Sequence, residues 1–399
     1  MRVLIATTAL CLLAACSTTP QRTIGPQTPN SVPQTDPLSE ARARNQHWLN
    51  PRLIDGFPES TDSNYRPAAR LAVLLPQTGS LGVAGNAIRD GILAGYYAET
   101  RQKPSIRFYN SQGTADGAKT AYQRALKDGA QMIIGPIGKD EVAAIVEMAD
   151  GIPVLALNNV LNPNNKFLLN FSMTPEREGE LLAEHLLSKN LKQTALFYQA
   201  NESNARILAA FEKAYTKSGG ILVAKAMAPQ FSKDEPTATT TKPTLPDGLT
   251  RANAIVLLMS GTAVKSTRAA LALNGASALP IFANSEITDN ADPKTNTQLD
   301  GVLFLHTPWQ TGAGNALGVN AAQLKALPSS RGGGSRLNAF GLDAWLISTR
   351  LQTWLSSPNT TINGSTGSLH LEPDGQIERN LLWSVYQNGI PQASNAKQP

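Results

Sequence analysis

The chain has 399 residues, 41% of them apolar, which is length enough for two domains and an ordinary content for a buried core. Its formal charge of +5 is spread without a block of lysine or arginine, so it carries no nucleic-acid footprint and at most a mild preference for anionic glycan or an acidic partner surface. Two cysteines, Cys11 and Cys16, exclude a disulfide scaffold.

At the amino terminus, Met1-Arg2 is a short positive region and residues 3–15 an apolar run of signal-peptide length, too short to span a bilayer. Leu13-Ala14-Ala15-Cys16 then resembles the bacterial lipobox, which implies removal of residues 1–15 and lipidation of Cys16. Acyl chains on Cys16 would moor the protein to a membrane at about 0.8 kcal/mol per buried CH₂ while its body stays in water. Ser17 follows, not Asp, and in Gram-negative lipoproteins that resemblance points to the outer membrane. Cys11 lies in the removed segment, so the mature chain has no pair to bridge. Residues 16–66, with seven prolines among Thr, Gln, Ser and Asn, read as an extended tether. Within it, residues 39–53 could form one short helix through Trp48, Leu49 and Leu53.

Leu71 to Leu75 is an unbroken apolar run that Pro76 stops, as expected of a strand buried on both faces. The period then changes to three and four through Ala84, Ala87, Ile88, Gly91, Ile92, Gly95 and Tyr96, an amphipathic helix folding back across the sheet. The turn between them, Gly79-Ser-Leu-Gly82 and Gly85, fits neither the dinucleotide nor the phosphate-loop template, so it is a tight turn or a cleft-lining loop. Strand 105–109, helix 114–128, strand 131–134, helix 139–149 and strand 153–157 follow, the alternation of βαβ units and a parallel sheet.

After residues 167–171 the rhythm restarts. Helix 175–189, strand 194–198, helix 203–217, strands 221–226 and 254–259, helix 262–273 and strand 280–282 predict a second lobe. Residues 229–249, rich in Thr, Pro and Lys, read as an exposed insertion with no core of its own. Strand 301–305 is expected to rejoin the first sheet, and 329–335 is a loop before helix 336–354. The last piece, 362–371, then Asp374-Gly375, then 381–386, reads as two strands and a tight turn completing the second sheet. The limits are thus 67–170 with 285–356 for lobe 1, 171–284 with 357–392 for lobe 2, and a tail at 393–399.

This order resembles the type I periplasmic binding protein fold, an α/β architecture of two Rossmann-like lobes joined by three crossings with a ligand cleft between. Within that fold, Leu71-Ala-Val-Leu-Leu-Pro-Gln-Thr-Gly79, Ala87-Ile-Arg-Asp-Gly91, Gly135-Pro136, Leu155-Ala-Leu-Asn158, Arg336-Leu-Asn-Ala-Phe-Gly-Leu-Asp-Ala-Trp345 and Gly364-Ser-Thr-Gly-Ser-Leu369 with Asp374-Gly375 are similar to the LpoA-type penicillin-binding protein activator family. The likeness covers about residues 68–390. It implies an outer-membrane lipoprotein that touches a class A penicillin-binding protein, the peptidoglycan synthase, in the periplasm, with no catalytic residue and no cofactor. The best-known members carry a helical repeat domain ahead of this fold, where this chain has the tether.

In such a fold strand ends and helix N-termini face the cleft, which nominates Thr78, Gly79, Gly138, Asn158, Asn159, Ser172, Tyr198, Ser260 and Glu286. These polar residues either line a ligand site or simply cap helices and satisfy turns. The first alternative makes the protein a lipoprotein receptor for a small polar ligand, an amino acid or a cell-wall fragment. His47, His185, His306 and His370 have no second His or Cys at ligand spacing, so no metal site is expected. No Gly-x-Ser-x-Gly elbow or paired base and nucleophile points to a hydrolase.

Overall fold

The computed structural model describes residues 65–149, 151–160, 167–228, 245–288, 294–312, 314–357 and 359–394. The predicted signal peptide, Cys16, the tether with its short helix, most of the 229–249 insertion and most of the tail lie outside the described residues.

The described strands form two sheets. The first begins with β1 (Arg70–Leu75), helix α1 (Gly82–Ala98), β2 (Ser105–Asn110), α2 (Ala115–Lys127), β3 (Met132–Ile134), α3 (Lys139–Val146), β4 (Val154–Ala156) and β5 (Leu168–Phe171). The second takes α4 (Glu176–Ser188), β6 (Gln193–Tyr198), α5 (Glu202–Lys217), β7 (Ile221–Met227), β8 (Ala254–Leu258), α6 (Gly261–Leu273), β9 (Ile281–Ala283) and β10 (Leu303–His306). After the long helix α7 (Gly334–Ser356) come β11 (Ile362–Asn363), β12 (Ser368–Leu371), β13 (Gln376–Asn380), β14 (Leu382–Gln387) and β15 (Ile390–Ala393). The sheet orders are β11-β12-β13-β5-β4-β3-β1-β2 and β15-β14-β10-β9-β8-β6-β7. The chain therefore passes between sheets after β5, after β10 and at Leu381, the three crossings of the expected fold.

Two expectations about the sheets need correcting. β10 belongs to the second sheet, parallel to β9 and antiparallel to β14, and does not return to the first. Conversely β11, β12 and β13 extend the first sheet, with β13 parallel to β5, and only β14 and β15 join the second. The expected lobe limits at 285–356 and 357–392 shift accordingly. Which sheet receives a strand is decided by pairing across the crossings, which hydrophobic period does not encode. The strand Gln-Ile-Glu-Arg-Asn of β13 was also absent from the expectation, since only Ile377 among its residues is apolar.

Strand period two sorts the core. Leu71, Val73 and Leu75 pack on one face of the first sheet with Ile88, Ile92, Phe340 and Trp345. Ala72 and Leu74 pack on the other with Ala118, Tyr122, Val142 and Ile145. In the second sheet Ala195, Phe197, Ile255 and Leu257 face one side, and Leu196, Val256 and Leu258 the other, against Leu182 and Phe211. The end of the 229–249 insertion contradicts its reading as coreless: Leu249 is 7% exposed and packs into the second lobe.

Helices α1 and α7 approach closely because two glycines meet backbone. A Cβ on Gly91 would lie 2.0 Å from the Asn338 carbonyl oxygen, and one on Gly341 2.1 Å from that of Ile88. Asn338, fully buried, donates its Nδ2 to the Ala87 carbonyl at 2.8 Å and ties the pair together.

Candidate functional site: the interlobe cleft and its hinge

Where α3, β4 and β13 of the first lobe face α4 and α5 of the second lies a cavity of about 990 Å³. Its first-lobe wall carries Lys139, Asn158, Asn159, Ser172, Glu378 and Arg379; its second-lobe wall Glu176, Arg177, Glu180, Glu202 and Arg206. Cations and carboxylates alternate, so the cleft presents no single sign of charge.

The hinge beneath it is organised by Arg379, only 8% exposed. Its Nε donates to the Ser172 carbonyl at 3.1 Å and its Nη2 to that of Thr174 at 3.3 Å, so the third crossing grips the first. Burial pulls this guanidinium below its ordinary value, while Glu178 and Asp343 oppose that shift. Glu178 accepts the Ser285 N–H and hydroxyl, both at 2.8 Å. Asp343 accepts the N–H groups of Ser365 and Thr366 at 2.6 and 2.7 Å and the Thr366 hydroxyl at 2.6 Å. Burial raises both carboxyls, Asp343 to about 6. The contact joins two segments singled out in the sequence, Arg336–Trp345 and Gly364–Leu369.

Arg177 makes a second tie. It donates to Glu180 at 3.1 Å, Glu184 at 3.0 Å and Asn380 at 3.2 Å, and its Nε lies 3.7 Å from Glu378. Those carboxylates hold its charge firmly on, although burial alone would lower it.

Of the nominated residues, Asn158, Asn159 and Ser172 line the cavity. Asn158 donates to the Ile137 carbonyl at 2.7 Å and accepts from the Asn159 N–H, so its side chain also shapes the loop. The other six are not among its lining residues, and most serve local structure. Gly138 donates its N–H to Glu141 at the start of α3, and the Ser260 N–H is taken by Gln199. Glu286 accepts from Asn204 at 3.0 Å, and Thr78 from Asn110 at 3.4 Å. Gly79 forms the turn to Gly82, and Tyr198 packs with the second-lobe core. The sequence reading missed Arg177, Arg379, Glu178 and Asp343, each of which has a partner at least 22 residues away in the chain; Asp343 was visible only as one letter of a motif.

The histidines divide. His185 packs against Trp383 and Phe282. His306 contacts the Thr307 carbonyl through Nδ1 and Ser384 through Nε2, at 3.0 and 2.8 Å. That Ser–His pair is 2% and 3% exposed, so no substrate carbonyl can reach it. His370 has carboxylate neighbours that spacing along the chain did not reveal, Glu372 at 3.0 Å and Glu378 at 3.5 Å.

Two α/β lobes, three crossings and a polar cleft define a periplasmic-binding-protein-like fold. Among solved structures it resembles the LpoA (YraM) C-domain from Haemophilus influenzae, described as a regulator of PBP1A, with a TM-score of 0.60 at 21% identity over 81% of this chain and all of that one. It also resembles an ABC transporter substrate-binding protein from Sphaerobacter thermophilus, with a TM-score of 0.52 at 15% identity over 82% of this chain and 96% of that one; these two show the fold. The chain belongs to the family described as "LppC putative lipoprotein", which it matches over residues 62–232 and 247–389. It is similar to the penicillin-binding protein activator LpoA of Pantoea ananatis, 24% identical over 329 residues, 73% of this chain and 48% of that protein. The Escherichia coli K12 activator LpoA is 25% identical over 299 residues, 66% of this chain and 44% of that protein. The chain thus spans about half the length of these activators.

Proposed function

We propose that this chain is a lipid-anchored, non-enzymatic activator that works at the outer membrane by binding a class A penicillin-binding protein in the periplasm. The observation that supports it above all is the family match across both lobes, together with relatives named as penicillin-binding protein activators. The Leu13–Cys16 lipobox supports the anchor, and Ser17 the outer-membrane address. Those names favour an activator over a receptor for a small ligand.

Activation by contact requires only that the activator bind the working conformer of the synthase more tightly than the idle one; a tenfold preference is about 1.4 kcal/mol of coupling. A surface that delivers such a preference must keep its shape. The Arg379 and Arg177 ties between crossings supply that rigidity, because reorienting the lobes would strand buried charge. The test is glycan polymerisation by a purified cognate class A synthase with the detergent-solubilised chain added. The expected result is a saturable rise in rate; no rise at saturation, with the chain folded, removes the proposal.

A further inference from the structure

We propose a zinc-binding site on the β12–β13 hairpin at the wall of the cleft, formed by His370, Glu372 and Glu378. The inference is independent of the activator reading.

The hairpin itself gathers the ligands. His370 stands directly opposite Glu378 in the antiparallel register, and Glu372 is two residues beyond His370, on the same face by the strand period. A tight turn fixes that register, with the Glu372 N–H donating to the Gln376 carbonyl at 2.8 Å and Gly375 N–H to that of Glu372 at 3.0 Å.

The distances suit a small tetrahedral ion. Bonds of about 2.0–2.1 Å to nitrogen and carboxylate oxygen place neighbouring ligands about 3.3 Å apart. His370 Nε2 already lies 3.0 Å from Glu372 Oε1 and 3.5 Å from Glu378 Oε2, and the three ligand atoms are all within 4.8 Å of one another. One imidazole with two carboxylates is a zinc donor set, whereas calcium and magnesium would call for oxygen alone.

Charge also favours a cation. Arg177 is shared among three carboxylates, Glu180, Glu184 and Glu378, the last of them beside His370. Arg177 keeps its hydrogen bonds to Glu180, Glu184 and Asn380 when Glu378 turns to a metal, so the exchange strands no charge. Arg206, on the opposite wall, is engaged by Glu176 at 2.8 Å. Glu378 lines the cavity, which places the site at the margin of the cleft, and a fourth ligand would be water or an anionic group.

The test is zinc calorimetry on the full chain with Cys11 and Cys16 both changed to serine, so that no thiol competes. One equivalent is expected to bind, with His370→Ala weakening binding by about tenfold or more and Glu378→Gln also weakening it, while His47→Gln leaves it unchanged. Circular dichroism establishes that each variant is folded. In parallel, cobalt should give the intense visible absorption of a tetrahedral site, lost in His370→Ala. Zinc binding that survives His370→Ala in a folded protein, or no binding at millimolar zinc, overturns the proposal.

Discussion

Replacing Arg379 by methionine tests the hinge most directly, since methionine keeps the apolar stem and removes only the fork. Two carbonyls, of Ser172 and Thr174, lose their donor, and Glu178 and Asp343 lose the buried cation that faces them. Breaking a buried charge network by deleting one partner costs about 3–5 kcal/mol, and at 8% exposure little solvent is present to repair it. The sign of the pH dependence is fixed by the two acids. Burial already raises Asp343 to about 6, above the value of about 3.9 it has unfolded, and without Arg379 both carboxyls rise further. A raised carboxyl penalises the folded state above its folded pKa, and the penalty disappears as pH falls to the unfolded value. Urea unfolding at pH 7.5 should therefore show the full loss of about 3–5 kcal/mol, and at pH 4.5 markedly less. A loss that is the same at both pH values would mean that packing alone is affected, and a loss below about 1 kcal/mol at pH 7.5 would refute the network.

Thr366→Val removes one hydrogen bond to the Asp343 carboxylate and should push its titration above about 6, read by carbon NMR of that carboxyl; an unchanged titration sinks the assignment. Burial lowers the His306 pKa below its unfolded value, so the neutral ring stabilises the fold at neutral pH and that contribution is lost as pH falls below about 6.5. His306→Gln should accordingly flatten the stability profile between pH 7 and 5, measured by chemical unfolding, and a profile as steep as the parent's speaks against it. Gly341→Val must displace α1 from α7 and should cost about 1–3 kcal/mol by the same measurement, a neutral effect being inconsistent with the contact to Ile88.

Much of the fold was legible along the chain because its signals are local. The run Leu71–Leu75 is buried over its length, and the three-four spacing of α1 puts Ala87, Ile88 and Ile92 in the core. β13 was illegible for the opposite reason: Glu378 and Arg379 are of the charged types that mostly face water, yet one lines the cleft and the other is buried at the hinge. A buried arginine is recognisable only through its partners, which lie about 205 residues away. The nominated cleft residues divided similarly, since a residue after a strand reads the same whether it sits at a helix start, as Gly138 does, or faces a cavity, as Asn159 does.

By itself the amino-acid sequence determined the alternation of strand and helix and the two-lobed class, because hydrophobic period is a property of neighbouring residues. Only the tertiary structure decided that β10 pairs in the second sheet and β13 in the first, that Arg379 clasps the first crossing, and that His370 stands beside Glu378. These are choices of partner among distant segments. They are set by which buried groups can satisfy one another once water has been excluded, a condition that exists only in the folded chain.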